Sequence, residues 1–455
     1  MSSSIRIASG QGFWGDLPNA PIDQVRKGPI DYLVMDYLAE VTMSIMQKQR
    51  SRNPDRGYAH DFVSLVGKIL PDISERGIKV VTNAGGVNPD ACKDAILDIV
   101  RQQEINDITV AVVDGDDILP DIDQLVESGH HLHNIDTGAP ITDVKDDLLS
   151  ANVYLGSRPI VEALQQGADI VITGRVFDAG LILGPMMYEF GWAWNDWDKV
   201  ASGIVAGHII ECGAQASGGN FTDWEEVDDF VNIGFPIIEA KADGTFVVTK
   251  HDGTGGLVNE MTVKEQLIYE IADPAAYLTP DGIADFTSVQ LQQEGENRVQ
   301  VSGVMGKPTT DSYKVSASYK RGYKLSSTLV YSWPNALGKA RKAGDILQDR
   351  AKALNLEIGE FNVEFIGFNG TSEELVTEEA LAKDFDEIEL RVSVSGDDRV
   401  DIDRFGKEIV PLVLTGPSGV TGYAGGRPKA TEVVAYWPAL LDKKVVQPRT
   451  RIFKV

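Results

Sequence analysis

The segment Gly207-His-Ile-Ile-Glu-Cys-Gly213 carries the most suggestive chemistry in the chain. If 200–212 is helical and Gly213 ends it, His208 and Cys212 stand four residues apart on one face, where helical side chains meet. A thiol beside an imidazole is a simple activated nucleophile, because the base stabilises the thiolate. His208 alone also suits general acid or base work. The competing interpretation is packing, since cysteine is often inert in cores.

Other candidates stand where short β-branched runs end. Asp36 and Glu40 supply two carboxylates, and Asn83 with the backbone of Gly85 and Gly86 suits a carbonyl or oxyanion. Arg175 is a positive contact, with Asp178 three residues on as a binding residue or simply its ion-pair partner. Gly10, Gly12 and Gly15 match G-x-G-x-x-G, and Asp36 lies 21 residues beyond Gly15, the spacing of a ribose-binding carboxylate. Pro18, Pro21 and the bulky Phe13 and Trp14 fit poorly under a pyrophosphate. A turn exposing N–H groups to another anion is the better interpretation. His130, His131, His133 and Asp136 sit in a loop-like setting with no familiar ligand spacing, so no metal is assigned.

The elements that must position these groups follow from periodicity. Ile5–Ser9, Tyr32–Met35, Ile78–Thr82, Ile108–Val113 and Ala168–Thr173 read as strands alternating with helix-compatible stretches such as Asp90–Gln102 and Pro159–Gln166. That pattern predicts an α/β fold with a mostly parallel N-terminal sheet, helices on both faces, and a site at strand carboxyl ends. Beyond about residue 225 the period becomes two. Ile237–Thr249 reads as a hairpin turning at Asp243-Gly244, and Tyr313–Tyr319, Lys324–Tyr331, Asn362–Ile366 and Glu387–Val394 as strands, with a helix over Ala336–Ala353. The expected domains are 1–225, α/β, and 226–455, α+β and rich in antiparallel strands.

Composition bounds the function. The 455 residues carry 42 Lys+Arg against 68 Asp+Glu, a formal charge of −26, which argues against a basic nucleic-acid-binding face. No run approaches the ~18 apolar residues of a membrane span. The first residues lack the pattern of a secretory signal, and two cysteines, Cys92 and Cys212, cannot frame a disulfide scaffold. A cytoplasmic homo-oligomer is the expectation.

Ala8-Ser-Gly-Gln-Gly-Phe-Trp-Gly-Asp, the stretch Asp31–Glu40, Asn83-Ala-Gly-Gly-Val-Asn-Pro, Ala168–Val176, Gly207–Gln215 and Asp252-Gly-Thr-Gly-Gly occur in one order. Together they resemble the acyclic terpene utilisation AtuA family over most of the chain. The resemblance implies a place in catabolism of branched terpenoids as coenzyme A thioesters, and it carries over no catalytic residue. Some relatives add a small C-terminal domain that this sequence does not show; the resemblance leaves two expectations, that a separate chain supplies its contribution or that the contribution is absent. The leading expectation is an enzyme acting on a branched acyl-CoA or hydroxy acid by hydration, lysis or thioester hydrolysis, with no cofactor. A non-catalytic acyl-ligand-binding subunit is the alternative, and an NAD(P) oxidoreductase the third.

Overall fold

The computed structural model describes residues 4–371, 376–377, 382–422 and 426–455. The chain opens with β1 (Ser4–Gln11), α1 (Ala20–Lys27) and β2 (Tyr32–Met35). Next come α2 (Glu40–Arg52), α3 (His60–Arg76), β3 (Lys79–Thr82), α4 (Pro89–Gln102) and β4 (Thr109–Asp114). After α5 (Ile122–Glu127), β5 (Leu148–Val153) and α6 (Arg158–Gln165) the chain reaches β6 (Ile170–Thr173). In the order β1-β2-β3-β6-β4 these strands pair in parallel. Runs such as Tyr32–Met35 and Ile170–Thr173 are buried throughout, as strands covered on both faces must be.

On one face, Leu33, Val80, Ile170 and Ile172 join a core with Val25 of α1, Phe62 and Ile69 of α3 and Ile96 of α4. Against the other face pack α7 (Gly180–Phe190) and α8 (Trp197–Glu211). From Val200 to Ile210 every residue of α8 is buried, which is why its sequence is apolar all round rather than striped. The helix closes on α7 because Gly207 has no side chain: a Cβ there would lie 2.6 Å from Ala179.

The parallel core is extended by antiparallel strands from the second half. A hairpin of β7 (Ile237–Lys241) and β8 (Phe246–Thr249) turns at Asp243-Gly244, and β7 pairs with β1. Beyond α9 (Glu260–Ile268) lie β9 (Tyr277–Leu278), β10 (Ile283–Asp285), β11 (Gln290–Gly295), β12 (Arg298–Ser302), β13 (Met305–Lys307) and β14 (Ser312–Ser332). There follow α10 (Ala336–Ala353), β15 (Glu360–Ile366), β16 (Glu387–Gly396), β17 (Val420–Thr421), β18 (Thr431–Asp442) and β19 (Arg449–Lys454). Among the described residues the large sheet runs β11-β12-β8-β7-β1-β2-β3-β6-β4-β19. It is therefore mixed: its centre is parallel as expected, but hairpins and the returning C-terminal strand make both flanks antiparallel.

Two compact units result, residues 1–318 with 436–455, and residues 319–435. Residue 225 lies inside the first, because β7 and β8 continue its sheet. In the second unit β15, β16, the distal part of β14 and β17 form an antiparallel sheet. Its core joins Leu329, Leu390 and Val392 to Ala340 and Leu347 of α10 and to Phe405. The strands expected at Tyr313–Tyr319 and Lys324–Tyr331 are one continuous β14, carried through 320–323 with Gly322 at φ +67°. Among the described residues no helix is long and apolar enough to cross a membrane.

Candidate functional site

Within the first unit, the loop after β1, the carboxyl ends of β2 and β6, the end of α8 and the segment 269–280 enclose a cavity of about 690 Å³. Its walls include Asp36, Glu40, Arg175, Asp178, Glu211 and Cys212. A cavity of this size suits a small organic group.

Arg175 is the buried cation of the site, with 2% of its side chain exposed. Its Nη1 donates to the Leu38 carbonyl at 3.1 Å and to Asp178 Oδ1, and its guanidinium lies 4.1 Å from the centre of the Tyr154 ring. Arg175 Nε is buried without a partner among the described residues. Burial raises the Asp36 carboxyl well above the carboxylate range and the charge of Asp178 adds to this, against the lowering by Arg175 and by Asn83, whose Nδ2 donates to Asp36 Oδ1 at 2.6 Å.

Glu40 behaves oppositely. Burial alone would raise it, but the Tyr154 hydroxyl donates to Oε1 at 2.7 Å and the charges of Arg175 and Lys314 draw it below the usual carboxylate value. Lys314 Nζ stands 3.6 Å from the same oxygen.

At the end of α8, His208 Nε2 is 2.9 Å from the Gln266 carbonyl oxygen, which can only accept, so Nε2 carries a proton. His208 Nδ1 is 2.9 Å from Glu211 Oε1. These two atoms share one proton, as imidazolium and carboxylate or as imidazole and carboxylic acid. Burial raises Glu211 above its ordinary value, with His208 acting the other way, and Glu211 Oε2 has no hydrogen-bond partner among the described residues. Glu211 is a carboxyl backed by an imidazole and poised at the cavity wall.

The cavity thus gathers Gly12, Asp36, Glu40, Arg175, Asp178, His208 and Cys212 from the residues singled out in the sequence. Both ring nitrogens of His208 are committed to Glu211 and Gln266, so neither activates Cys212. Burial, with the charge of Glu211, pushes the Cys212 thiol up to about 12, which keeps it protonated at neutral pH. Asn83 stands behind the site, holding Asp36 and accepting the Tyr37 N–H at 2.7 Å. Gly10 lies at an irregularity in β1, Gly15 in the turn beyond it, and Gly85 and Gly86 in the turn after β3; none of these lines the cavity.

Sequence reasoning missed Glu211, Tyr154, Lys314 and Tyr277. Only Glu211 carried a local signal, three residues beyond His208 on the same helix. The glycine fingerprint also has a structural account. A Cβ on Gly12 would meet the backbone of Cys212 and Gly213 at 2.6 Å, so this protein's own chain fills the approach that a pyrophosphate would need. The next helix, α1, begins only at Ala20. His131 and His133 face each other with ring centres 5.8 Å apart in a loop, and among the described residues no cluster of three or more metal-ligating side chains occurs.

No curated protein and no solved structure matches the chain. Residues 5–452 match the sequence model described as acyclic terpene utilisation family protein AtuA. With nearly its whole length matched, the chain belongs to the AtuA family of acyclic terpene utilisation.

Proposed function

We propose that the protein is an acid–base enzyme of acyclic terpene utilisation, acting on a branched acyl-CoA or the corresponding hydroxy acid by hydration or carbon–carbon lysis. The observation that carries this reading is the opposed tuning of two carboxyls on one cavity: Glu40 is drawn below its ordinary value, Glu211 pushed above it. Groups pushed apart in this way divide base and acid duties between them. Glu40 takes a proton from the substrate carbon or from water. Glu211 delivers the one proton it shares with His208 Nδ1 and regains it from the substrate or water in the cavity as the cycle closes. Arg175 and Lys314 supply positive charge for a carbonyl oxygen or carboxylate as negative charge develops there. A protonated Cys212 makes a covalent thioester intermediate the weaker alternative.

The test is mass spectrometry of the purified chain with branched 3-hydroxyacyl-CoA and enoyl-CoA thioesters and the free hydroxy acids, with and without divalent metal. Gain or loss of water identifies a hydratase, and a shortened thioester a lyase. Free coenzyme A with the acid identifies a hydrolase and moves Glu40 to activating water. Folded protein that binds a thioester and releases it unchanged sinks the catalytic reading in favour of a binding subunit.

A further inference from the structure

A second cavity of the first unit, about 550 Å³, has a different character. Trp194 and Trp197 stand on its wall with Arg158, whose guanidinium lies 4.5 Å from the centre of the Trp194 ring. Arg158 is exposed and, among the described residues, donates no hydrogen bond and makes no ion pair, although its charge acts on the Asp281 carboxyl, which with Glu162 shares this wall. Lys443 is placed otherwise: its ammonium donates to the Pro280 carbonyl at 2.7 Å and to Thr309 Oγ1 at 2.9 Å, fixing the wall.

The two cavities adjoin. Pro280 lines both, and Tyr313 faces the second while Lys314 faces the first. α8 spans them: Trp197 is its first residue and Glu211 its last. Fourteen residues at about 1.5 Å each put these two positions ~21 Å apart along the helix axis. An acid–base chamber at one end and a ring platform with an exposed guanidinium at the other match a ligand in which a small acyl group and a nucleotide are joined by a long arm.

We propose that the Trp194–Trp197–Arg158 cavity is the subsite for the nucleotide end of a coenzyme A thioester, an indole face stacking the adenine and Arg158 holding a phosphate. This rests on the acyl-CoA reading above and adds to it a binding site and the residues that recognise it. Without a guanidinium at position 158 the phosphate loses its charge-assisted partner, and without the Trp194 ring the base loses its platform.

Isothermal titration of the full-length chain with coenzyme A, adenosine 3′,5′-bisphosphate, ATP and pantetheine tests it. Coenzyme A and the bisphosphate are expected to compete at one site, with ATP weaker. Arg158→Gln, at an exposed position that leaves the core untouched, and Trp194→Ala should each weaken coenzyme A about tenfold or more, while pantetheine binding stays unchanged. Affinity within about twofold of wild type in both variants, or no competition by the bisphosphate, overturns the subsite. ATP binding more tightly than coenzyme A overturns it in favour of a different nucleotide. If the bisphosphate competes but no thioester is converted, the subsite stands and the reaction falls. If thioesters are converted but the variants bind normally, the reaction stands and the subsite falls.

Discussion

The two compact units differ most in what they bury. Among the described residues every buried polar or charged side chain lies in the first unit, including Asp36, Asp116, Arg175 and His208, whereas the core of the second is aliphatic and aromatic. Burying a charge is costly unless it is paired, so a fold keeps such groups where they act. Asp36, Asp116 and Arg175 gather at strand ends, whereas Lys93, Lys250 and His251 are buried elsewhere, and the carboxyls lining the cavity beside Arg175 are tuned in opposite directions. The second unit's α10 and sheet have the composition of packing alone. If the proposed chemistry belongs to the first unit, substitutions can separate it from the cohesion of the second.

The largest separation is expected at Glu211. Glu211→Gln keeps the volume and a group that can pair with His208 Nδ1 but removes the transferable proton, so turnover on the accepted thioester should fall by about 10²–10⁴-fold. Stability should hold or rise, because burial already opposes a charged Glu211. Steady-state kinetics beside urea unfolding reads both, and retained turnover removes Glu211 as the acid. The converse experiment is Leu390→Ala. Leu390, 1% exposed, sits in the core of the second unit, so its truncation should cost about 2–5 kcal/mol of stability. Well below the unfolding transition its kcat should match wild type, since every wall of the cavity proposed for acid–base work belongs to the first unit. A Leu390→Ala protein that is folded but inactive breaks the division.

Much of this arrangement was legible before any coordinates. The strand runs, the Asp243-Gly244 hairpin and the helix Ala336–Ala353 stand where their periodicity places them; the rule that parallel strands present ligand sites at their carboxyl ends brought Asp36 and Arg175 to one cavity but not Gly10 or Asn83, and His208 reaches it from the helix on which its spacing placed it. What escaped was non-local. Tyr154 and Lys314 meet because β5 pairs with β14, the Tyr154 N–H donating to the Lys314 carbonyl at 2.9 Å, and nothing near either residue announces that pairing. The His208 partner was misjudged by helical phase: Glu211 and Cys212, at i+3 and i+4, are both neighbours of His208, and only the carboxyl turns toward the imidazole. The glycines were informative as packing rather than chemistry. Gly12 marks where two backbones touch, and glycine types alone do not distinguish that from a ligand's approach.

The finest distinction between the units is in pH dependence, through Asp116. Its Oδ2 accepts both the Arg175 N–H and Asn152 Nδ2–H at 2.8 Å, which holds the backbone of Arg175 in place. Burial outweighs those bonds and raises the carboxyl from 3.8 to about 7. Between about pH 4 and pH 7 the folded chain therefore keeps a proton that the unfolded chain has released. Asp116's contribution to stability is then fullest below the lower value and is lost as pH rises through the higher one, by up to about 1.4 kcal/mol per pH unit. Asp116→Asn keeps an oxygen for both donors and cannot titrate, so its stability relative to wild type should improve steadily as pH rises across that window, as urea unfolding at several pH values will read. Leu390→Ala supplies the contrast, with a deficit that stays constant because no proton is bound or released with that side chain. A constant difference for Asp116→Asn as well would mean that this carboxyl is already ionised in the folded protein. The first unit would then hold its buried charge by hydrogen bonding to Arg175 and Asn152 rather than by keeping the proton.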